Sequence, residues 1–166
     1  MSDTKPTSST IIKVVLFMML VSALLGAISA VLPLPVITVG LFAAFVMVGW
    51  LPYLNIDGSK GTKVMTAIVS AVLNVGAMWY VWTWVQFDMS AANLLITGGF
   101  DGIAAVWNAA TSGTVTLSKL GRSTEHTMGS GFLSASAWAS TIIVALPPLI
   151  WGLMSSSTTA KPESEA

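Results

Sequence analysis

The chain has 166 residues, and its seven Lys and Arg balance seven Asp and Glu, so its formal net charge is zero. Hydrophobic residues make up 54% and charged residues only 8%, whereas soluble domains average about 25% charged residues. This composition excludes an ordinary water-soluble domain, because the surplus apolar side chains would form one large exposed patch. Neutrality also excludes a basic nucleic-acid-binding protein, which needs a positively charged surface.

Five apolar segments follow one another along the chain. About 20 helical residues cross the roughly 30 Å hydrocarbon core of a bilayer, and a helix satisfies its own backbone hydrogen bonds in lipid. We therefore predict an all-α, polytopic integral membrane protein with one helical membrane domain over residues 11–154. Polar tails at residues 1–10 and 155–166 are expected to be flexible. The predicted helices cover residues 11–32, 34–53, 64–87, 93–117 and 132–154.

The fourth and fifth segments contain helix-disrupting residues. Several glycines and Asp101 make the fourth segment the least apolar of the five, so a re-entrant or broken helix is the alternative to a full crossing. In the fifth predicted helix, Pro147 and Pro148 remove two backbone donors. The pair predicts a bend for packing, with a hinge as the functional alternative.

The basic residues are distributed asymmetrically. With five crossings, the N-terminal region and the loops at 55–63 and 118–130 lie on one side and hold six of the seven Lys and Arg. The positive-inside rule then predicts a cytoplasmic N-terminus and an outer C-terminus, as in a multi-pass protein of the bacterial inner membrane. A secretory signal cleaved after Ala30 is an alternative for the first segment, and it would leave the other crossings unchanged.

Three polar side chains inside the predicted helices are candidates for function: Asn74, Asp101 and Asn108. The third and fourth predicted helices place the two asparagines at similar depth, and Asp101 about 12 Å below the outer end of its helix. A charge near the middle of a helix costs about 3 kcal/mol on insertion scales, so Asp101 should face protein or water. The asparagines are most simply explained as interhelical hydrogen-bonding groups.

Three interpretations of Asp101 stay open. It is a proton- or cation-binding carboxylate in a transport path, a structural hydrogen-bonding group, or a residue near the outer surface of a re-entrant helix. The first interpretation makes it a functional residue, and the other two make it part of the architecture.

Aromatic and small residues form two further patterns. At helix-packing spacing, Gly26, Gly98 and Gly102 predict close approach of helices, either within the chain or between chains. The aromatic residues favour an interfacial belt, with an aromatic cage for a cationic or planar ligand as the alternative. They crowd the outer end of the third predicted helix, at Trp79, Tyr80, Trp82 and Trp84.

Signals for catalysis and cofactors are weak. The single histidine, His126, cannot supply bis-histidine haem ligation, and the chain has no cysteine to complete a zinc site. Neither a phosphate-binding loop nor a nucleophile elbow is present in the sequence. The sequence therefore predicts no enzymatic activity, no metal site and no bound cofactor.

These observations predict a non-enzymatic integral membrane subunit of a larger assembly, such as a transport or secretion apparatus. It would act through helix packing and through contacts with the bilayer and with other membrane subunits or further copies of itself, and not with nucleic acid. The alternative is a small oligomeric channel or transporter, in which Asp101, Asn108 and Asn74 line a polar path.

Overall fold

The computed structural model of this protein describes residues 8–31, 43–111, 114–117, 124–127 and 130–157. They are almost entirely helical, with one short β-hairpin. The elements are α1 (Ser8–Val31), α2 (described over residues 43–49), a 3-10 helix (Leu51–Asn55), α3 (Lys60–Gln86), α4 (Met89–Thr97), α5 (Gly99–Thr111), β1 (Thr114–Leu117), β2 (Thr124–Thr127) and α6 (Ser130–Ser157).

Three of the described helices are long and apolar enough to cross a membrane: Ser8–Val31, Lys60–Gln86 and Ser134–Met154 within α6. They support the prediction of a helical membrane protein, and they overlap the first, third and fifth predicted helices. A shorter apolar helix covers Ala43–Asn55. The prediction of five crossings is not confirmed. The predicted turn at 33–35, residues 34–42 of the second predicted helix, most of both predicted tails and residues 118–123 lie outside the described residues.

The structure corrects the fourth predicted helix. Instead of one helix over 93–117, α4 and α5 meet at Gly98, and residues 114–117 form a strand. Gly99 has a φ of +54°, a left-handed conformation that glycine adopts without the steric penalty of a Cβ. The β-branched run Thr114–Thr116 favours the strand, which pairs antiparallel with β2 so that Thr114 faces Thr127.

Polar caps define where α3 and α4 begin. The Ser59 hydroxyl accepts a hydrogen bond from the backbone N–H of Thr62 at 3.3 Å, and the Asp88 carboxylate accepts one from the N–H of Ala91 at 2.7 Å. Each cap satisfies a backbone donor that the first helical turn leaves unpaired. Asp88 therefore closes the α3–α4 connection, where the sequence predicted the end of a membrane-spanning segment.

The helices α1 and α3 run in the same direction. At one level, the side chain of Met18 in α1 lies 3.1 Å from a Cβ built at Gly49, and the Tyr53 hydroxyl, four residues after Gly49, bonds to Ser70 of α3. Further along both helices the backbones approach closely, because a Cβ built at Gly26 would lie 3.1 Å from the carbonyl carbon of Met78. Because both contacts advance in the same direction along α1 and α3, the two helices are parallel, and the described part of the connecting segment, α2 and the 3-10 helix, lies beside Met18 and Ser70.

The helices α3 and α6 run in opposite directions. A Cβ built at Gly152 would lie 2.6 Å from the Cβ of Ala67. Twelve residues later in α3 and eleven earlier in α6, the indole N–H of Trp79 donates to the Thr141 hydroxyl at 3.0 Å. Five successive crossings would make the third and fifth predicted helices parallel, so the observed arrangement differs from that expectation.

The core lies where α1, the α2 region, α3 and α6 meet. Its apolar part consists of large side chains, whereas the outer face of α1 carries bulky exposed residues such as Leu16, Phe17 and Leu20. This distribution is typical of helices that pack on one side and contact lipid on the other. The buried cluster contains Met18, Leu25, Phe45, Tyr53, Ile56, Ala67, Met78, Val144 and Trp151.

Candidate functional site

Three polar side chains form a hydrogen-bonded cluster inside this core. The hydroxyls of Tyr53 and Ser70 lie 2.7 Å apart, and the Asn74 amide nitrogen donates to the Tyr53 hydroxyl at 3.4 Å. All three residues are completely buried. Ser70 and Asn74 are four residues apart and so share one face of α3, and the 3-10 helix brings Tyr53 against that face. The cluster therefore ties the α2 region to α3.

The carbonyl oxygen of the Asn74 side chain is a buried acceptor. None of the described residues donates a hydrogen bond to it. Buried polar groups are almost always paired, because an unpaired one loses its hydration without compensation. The hydrogen-bonding capacity of the Tyr53–Ser70–Asn74 cluster is thus only partly satisfied, and its stability depends on the bond that the Asn74 amide nitrogen donates to the Tyr53 hydroxyl.

Apolar groups surround the cluster. The rings of Tyr53 and Trp151 lie 5.5 Å apart in a tilted arrangement, and the Ser22 hydroxyl is buried on α1, where it donates to the Met18 carbonyl at 2.8 Å. Such back-bonding satisfies a serine hydroxyl within its own helix. The arrangement suits a structural connection between the α2 region and α3, because the hydroxyls of Tyr53 and Ser70 and the amide nitrogen of Asn74 bond to one another.

The other two polar candidates lie elsewhere. Asp101 is exposed in the first turn of α5, and Asn108 is exposed seven residues later on the same face. Asn74, in contrast, is sealed in the core between α3 and the 3-10 helix. The structure therefore does not bring the three predicted candidates together. Asp101 lies directly after the break between α4 and α5, on an exposed face of α5.

The α4–α5 junction is a sharp elbow built from two glycines. A Cβ at Gly98 would lie 2.8 Å from the Cα of Gly102, and a Cβ at Gly102 would meet the carbonyl group of Leu94. The second contact joins residues eight apart in sequence, which a straight helix would separate by about 12 Å. Gly98 and Gly102 thus lie inside one elbow, and not at an interface between two membrane-spanning helices.

The small residue Gly26 and the prolines occupy packed positions. Gly26 lies at the close approach of α1 to α3 described above. Pro147 and Pro148 are buried within an uninterrupted α6, and the Pro147 ring would lie 3.3 Å from a Cβ built at Gly49. Because prolines donate no backbone hydrogen bond, the carbonyls four residues earlier lose their usual helical partner. Pro147 therefore packs against α2.

An aromatic chain connects three helices near one end of the bundle. Ring centroids of Trp79 lie 5.2 Å from Trp82 and 5.6 Å from Trp107, and Trp107 lies 4.8 Å from Trp138. Tilted and edge-to-face geometries of this kind stabilise aromatic pairs. A fifth ring, Phe87, lies 5.9 Å from Trp82. This aromatic chain, made of Trp79, Trp82, Trp107, Trp138 and Phe87, therefore packs α5 against α3 and α6.

Two of the four aromatic residues predicted from the sequence, Tyr80 and Trp84, do not belong to the aromatic chain. Trp84 is exposed, and the Tyr80 hydroxyl donates to the Asn93 side chain of α4 at 3.1 Å. Sequence reasoning missed Trp107 and Trp138, because a five-crossing arrangement puts Trp138 near the opposite membrane surface from Trp79. The one local signal for α5 was its low hydropathy around Asp101.

No group of three or more His, Cys, Asp or Glu within the described ranges is placed to hold a metal ion. His126 pairs through its backbone with Val115 in the hairpin. Comparison of the chain with protein families, with curated proteins and with solved structures finds no match.

Proposed function

We propose that this protein is a non-enzymatic integral membrane subunit of a larger membrane assembly, such as a transport or secretion apparatus. The observation that carries the proposal is the separation of its polar groups. Asn74 is buried in the Tyr53–Ser70–Asn74 cluster, whereas Asp101 and Asn108 lie on an exposed face of α5. A single chain with this arrangement has no continuous polar path through these residues. We therefore expect the protein to act through the contacts that its surface makes with lipid and with other membrane proteins.

The surfaces available for contact are extensive and apolar. Exposed large side chains run along α1, α3 and α6, for example Leu20, Val72 and Ile142. Between transmembrane helices, such faces associate through close packing and through hydrogen bonds to small polar residues. The charge bias of the sequence favours the bacterial inner membrane as the location of the assembly.

Purification in a mild detergent through a C-terminal tag tests this proposal. We expect a defined complex with other membrane proteins, seen by native mass measurement and mass spectrometry of the co-purifying chains. A protein that runs only at its own mass contradicts the proposal. A homo-oligomer free of other proteins would instead favour the channel alternative, and Asp101→Asn would then be expected to change ion flux in proteoliposomes.

We further propose that the chain crosses the membrane four times, with both termini in the cytoplasm. The support is the parallel pair α1 and α3, which requires a returning segment through α2, and the antiparallel pair α3 and α6. An even number of crossings follows if α4 and α5 stay on the outer side. At nine and 13 residues, each helix is shorter than the about 20 residues that a crossing needs, whereas α2 belongs to the uncharged apolar run 34–53, which is long enough.

The distribution of basic residues is compatible with four crossings. The inner side then holds Lys5, Lys13, Lys60, Lys63 and Lys161, which is five of the seven Lys and Arg. The outer side holds the remaining two, Lys119 and Arg122, between the hairpin strands. The bias is smaller than in the five-crossing arrangement, but its direction is the same and satisfies the positive-inside rule.

Single cysteines distinguish the two arrangements cleanly, because the chain has no native cysteine. With four crossings, Ser9→Cys and Ala166→Cys are expected to react with a membrane-impermeant maleimide only in inside-out vesicles. Ser90→Cys, on the exposed side of α4, is the matched outer control and should react only in right-side-out vesicles. Labelling of Ala166→Cys from the outside would contradict four crossings and restore five.

A further inference from the structure

The helix α5 carries three different faces around its axis. One face is buried against the protein and consists of Gly102, Val106 and Ala110, spaced four residues apart. A second face is apolar: Phe100 and Ile103 lie exposed on it in the first half of the helix, and Trp107 on the same face packs against the bundle in the second half. We propose that α5 lies in the plane of the outer membrane surface and binds the acyl chains of the outer leaflet through Phe100 and Ile103. This inference rests on the proposed four-crossing arrangement.

The third face of α5 is polar. At about 100° per residue, Asp101 lies about 100° beyond Phe100 on the helical wheel, and Asn108 projects within about 20° of Asp101. Both side chains are exposed. The polar face therefore lies away from the buried face and from the exposed apolar face. A helix that lies in a membrane interface has this division into apolar and polar exposed faces.

The apolar side chains at the start of α5 and at the end of α4 are largely exposed. Phe100 is 91% exposed and Ile103 is 50% exposed, and Ile96 at the end of α4 is 71% exposed. None of the described residues thus covers these side chains beside the elbow. Most of the other exposed large apolar residues lie on α1, α3 and α6, the helices long enough to cross a membrane. Beside such helices, lipid acyl chains are the partner that buries exposed apolar side chains.

The aromatic chain sets the level of α5 in the membrane. Trp107 contacts Trp79, which lies seven residues before the end of α3, and Trp138, which lies eight residues after the start of α6. All three tryptophans are therefore close to one end of the bundle. Tryptophan concentrates at the boundary between headgroups and acyl chains. At this level, α5 has lipid beneath its apolar face and water or headgroups above Asp101 and Asn108.

The charges on α4 and α5 indicate whether binding requires anionic lipid headgroups. Neither helix contains Lys or Arg, and Asp101 is acidic. Attraction to anionic headgroups needs basic residues near the surface, so insertion here depends on apolar area alone. We therefore expect α5 to bind zwitterionic phosphatidylcholine bilayers as well as it binds bilayers that contain phosphatidylglycerol.

Spin labels on the full-length protein in phosphatidylcholine nanodiscs test the inference. Single cysteines replace Phe100 and Ile103 on the apolar face, and Asp101 and Asn108 on the polar face. We expect the first two labels to be accessible to oxygen, which partitions into lipid, and shielded from a water-soluble nickel chelate. The labels at Asp101→Cys and Asn108→Cys are expected to show the reverse. Phosphatidylglycerol in the nanodiscs should leave all four profiles unchanged.

Any other pattern of label accessibility overturns the inference. Water accessibility at positions 100 and 103 would show that α5 stands away from the lipid. Oxygen accessibility at positions 101 and 108 would show that α5 is submerged. Labels at 101 and 108 that are shielded from both reagents would show that a protein covers the polar face. The tag purification tests the subunit role, and the terminal cysteines test the four crossings. A failure of either proposal is therefore distinguishable from a failure of the membrane position of α5.

Discussion

Replacing Gly26 with alanine is expected to cause a large loss of stability, although the change adds only one methyl group. That methyl group would meet the backbone carbonyl of Met78, and the neighbouring carbonyl carbon and Cα lie 3.1 and 3.2 Å from its position. Backbone atoms of α3 cannot rotate away as a flexible side chain would, so α1 and α3 must separate along their interface. Overpacking of this kind typically costs about 1–3 kcal/mol.

The measurement is thermal unfolding of purified Gly26→Ala in detergent, followed by circular dichroism. We expect a midpoint lower by about 5–10 °C, since about 1 kcal/mol shifts Tm by about 2–4 °C in a chain of this size. Gly76→Ala is the matched control, because Gly76 is exposed on α3 and has no heavy atom within 4 Å of its Cβ position. The control should be neutral or slightly stabilising, since alanine favours helix over glycine. Equal midpoints for the two variants would refute the close approach of α1 and α3.

Truncating Tyr53 is expected to have the second large effect. Tyr53→Ala removes a completely buried ring that packs on Trp151, together with the hydroxyl that bonds to Ser70 and Asn74. Loss of a large buried aromatic side chain costs about 3–5 kcal/mol. The variant should unfold at a much lower temperature or fail to accumulate in the membrane.

Tyr53→Phe isolates the hydroxyl and keeps the protein foldable. The ring stays in place, but the Asn74 amide loses its partner while its carbonyl oxygen already has no described donor. An unpaired buried polar group costs about 1–3 kcal/mol. Tyr80→Phe is the control, because the Tyr80 hydroxyl bonds to Asn93 in an exposed setting, where water replaces the lost bond. If both phenylalanine variants unfold at the same temperature, the buried cluster does not stabilise the fold.

The two experiments test different connections in the bundle. Gly26 reports on the contact between α1 and α3, and Tyr53 reports on the attachment of the α2 region to α3. Since both connections belong to the helix core, neither variant changes the exposed faces of α5. Partner binding and the membrane position of α5 can therefore be measured on the unaltered surface.

The parts of the fold that could be predicted from sequence are those with strong local signals. The runs that became α1, α3 and α6 are long and apolar, and a polar residue, Asp88, follows α3 directly. The fourth segment was mispredicted as one helix because average hydropathy carries no information about backbone geometry. A left-handed residue at Gly99 and a close approach at Gly102 decide that region, and the low hydropathy around Asp101 gave only the alternative of a broken helix.

Sequence alone determined the class of this protein and the positions of its long helices. An apolar run of about 20 residues can satisfy its backbone in lipid only as a helix, and this property is local to the run. Tertiary structure decided that α6 opposes α3, that Asn74 is buried while Asn108 is exposed, and that Trp138 joins the aromatic chain through Trp107. These features depend on contacts between residues far apart in the chain, because helical periodicity fixes which residues share a face but not which neighbour that face meets.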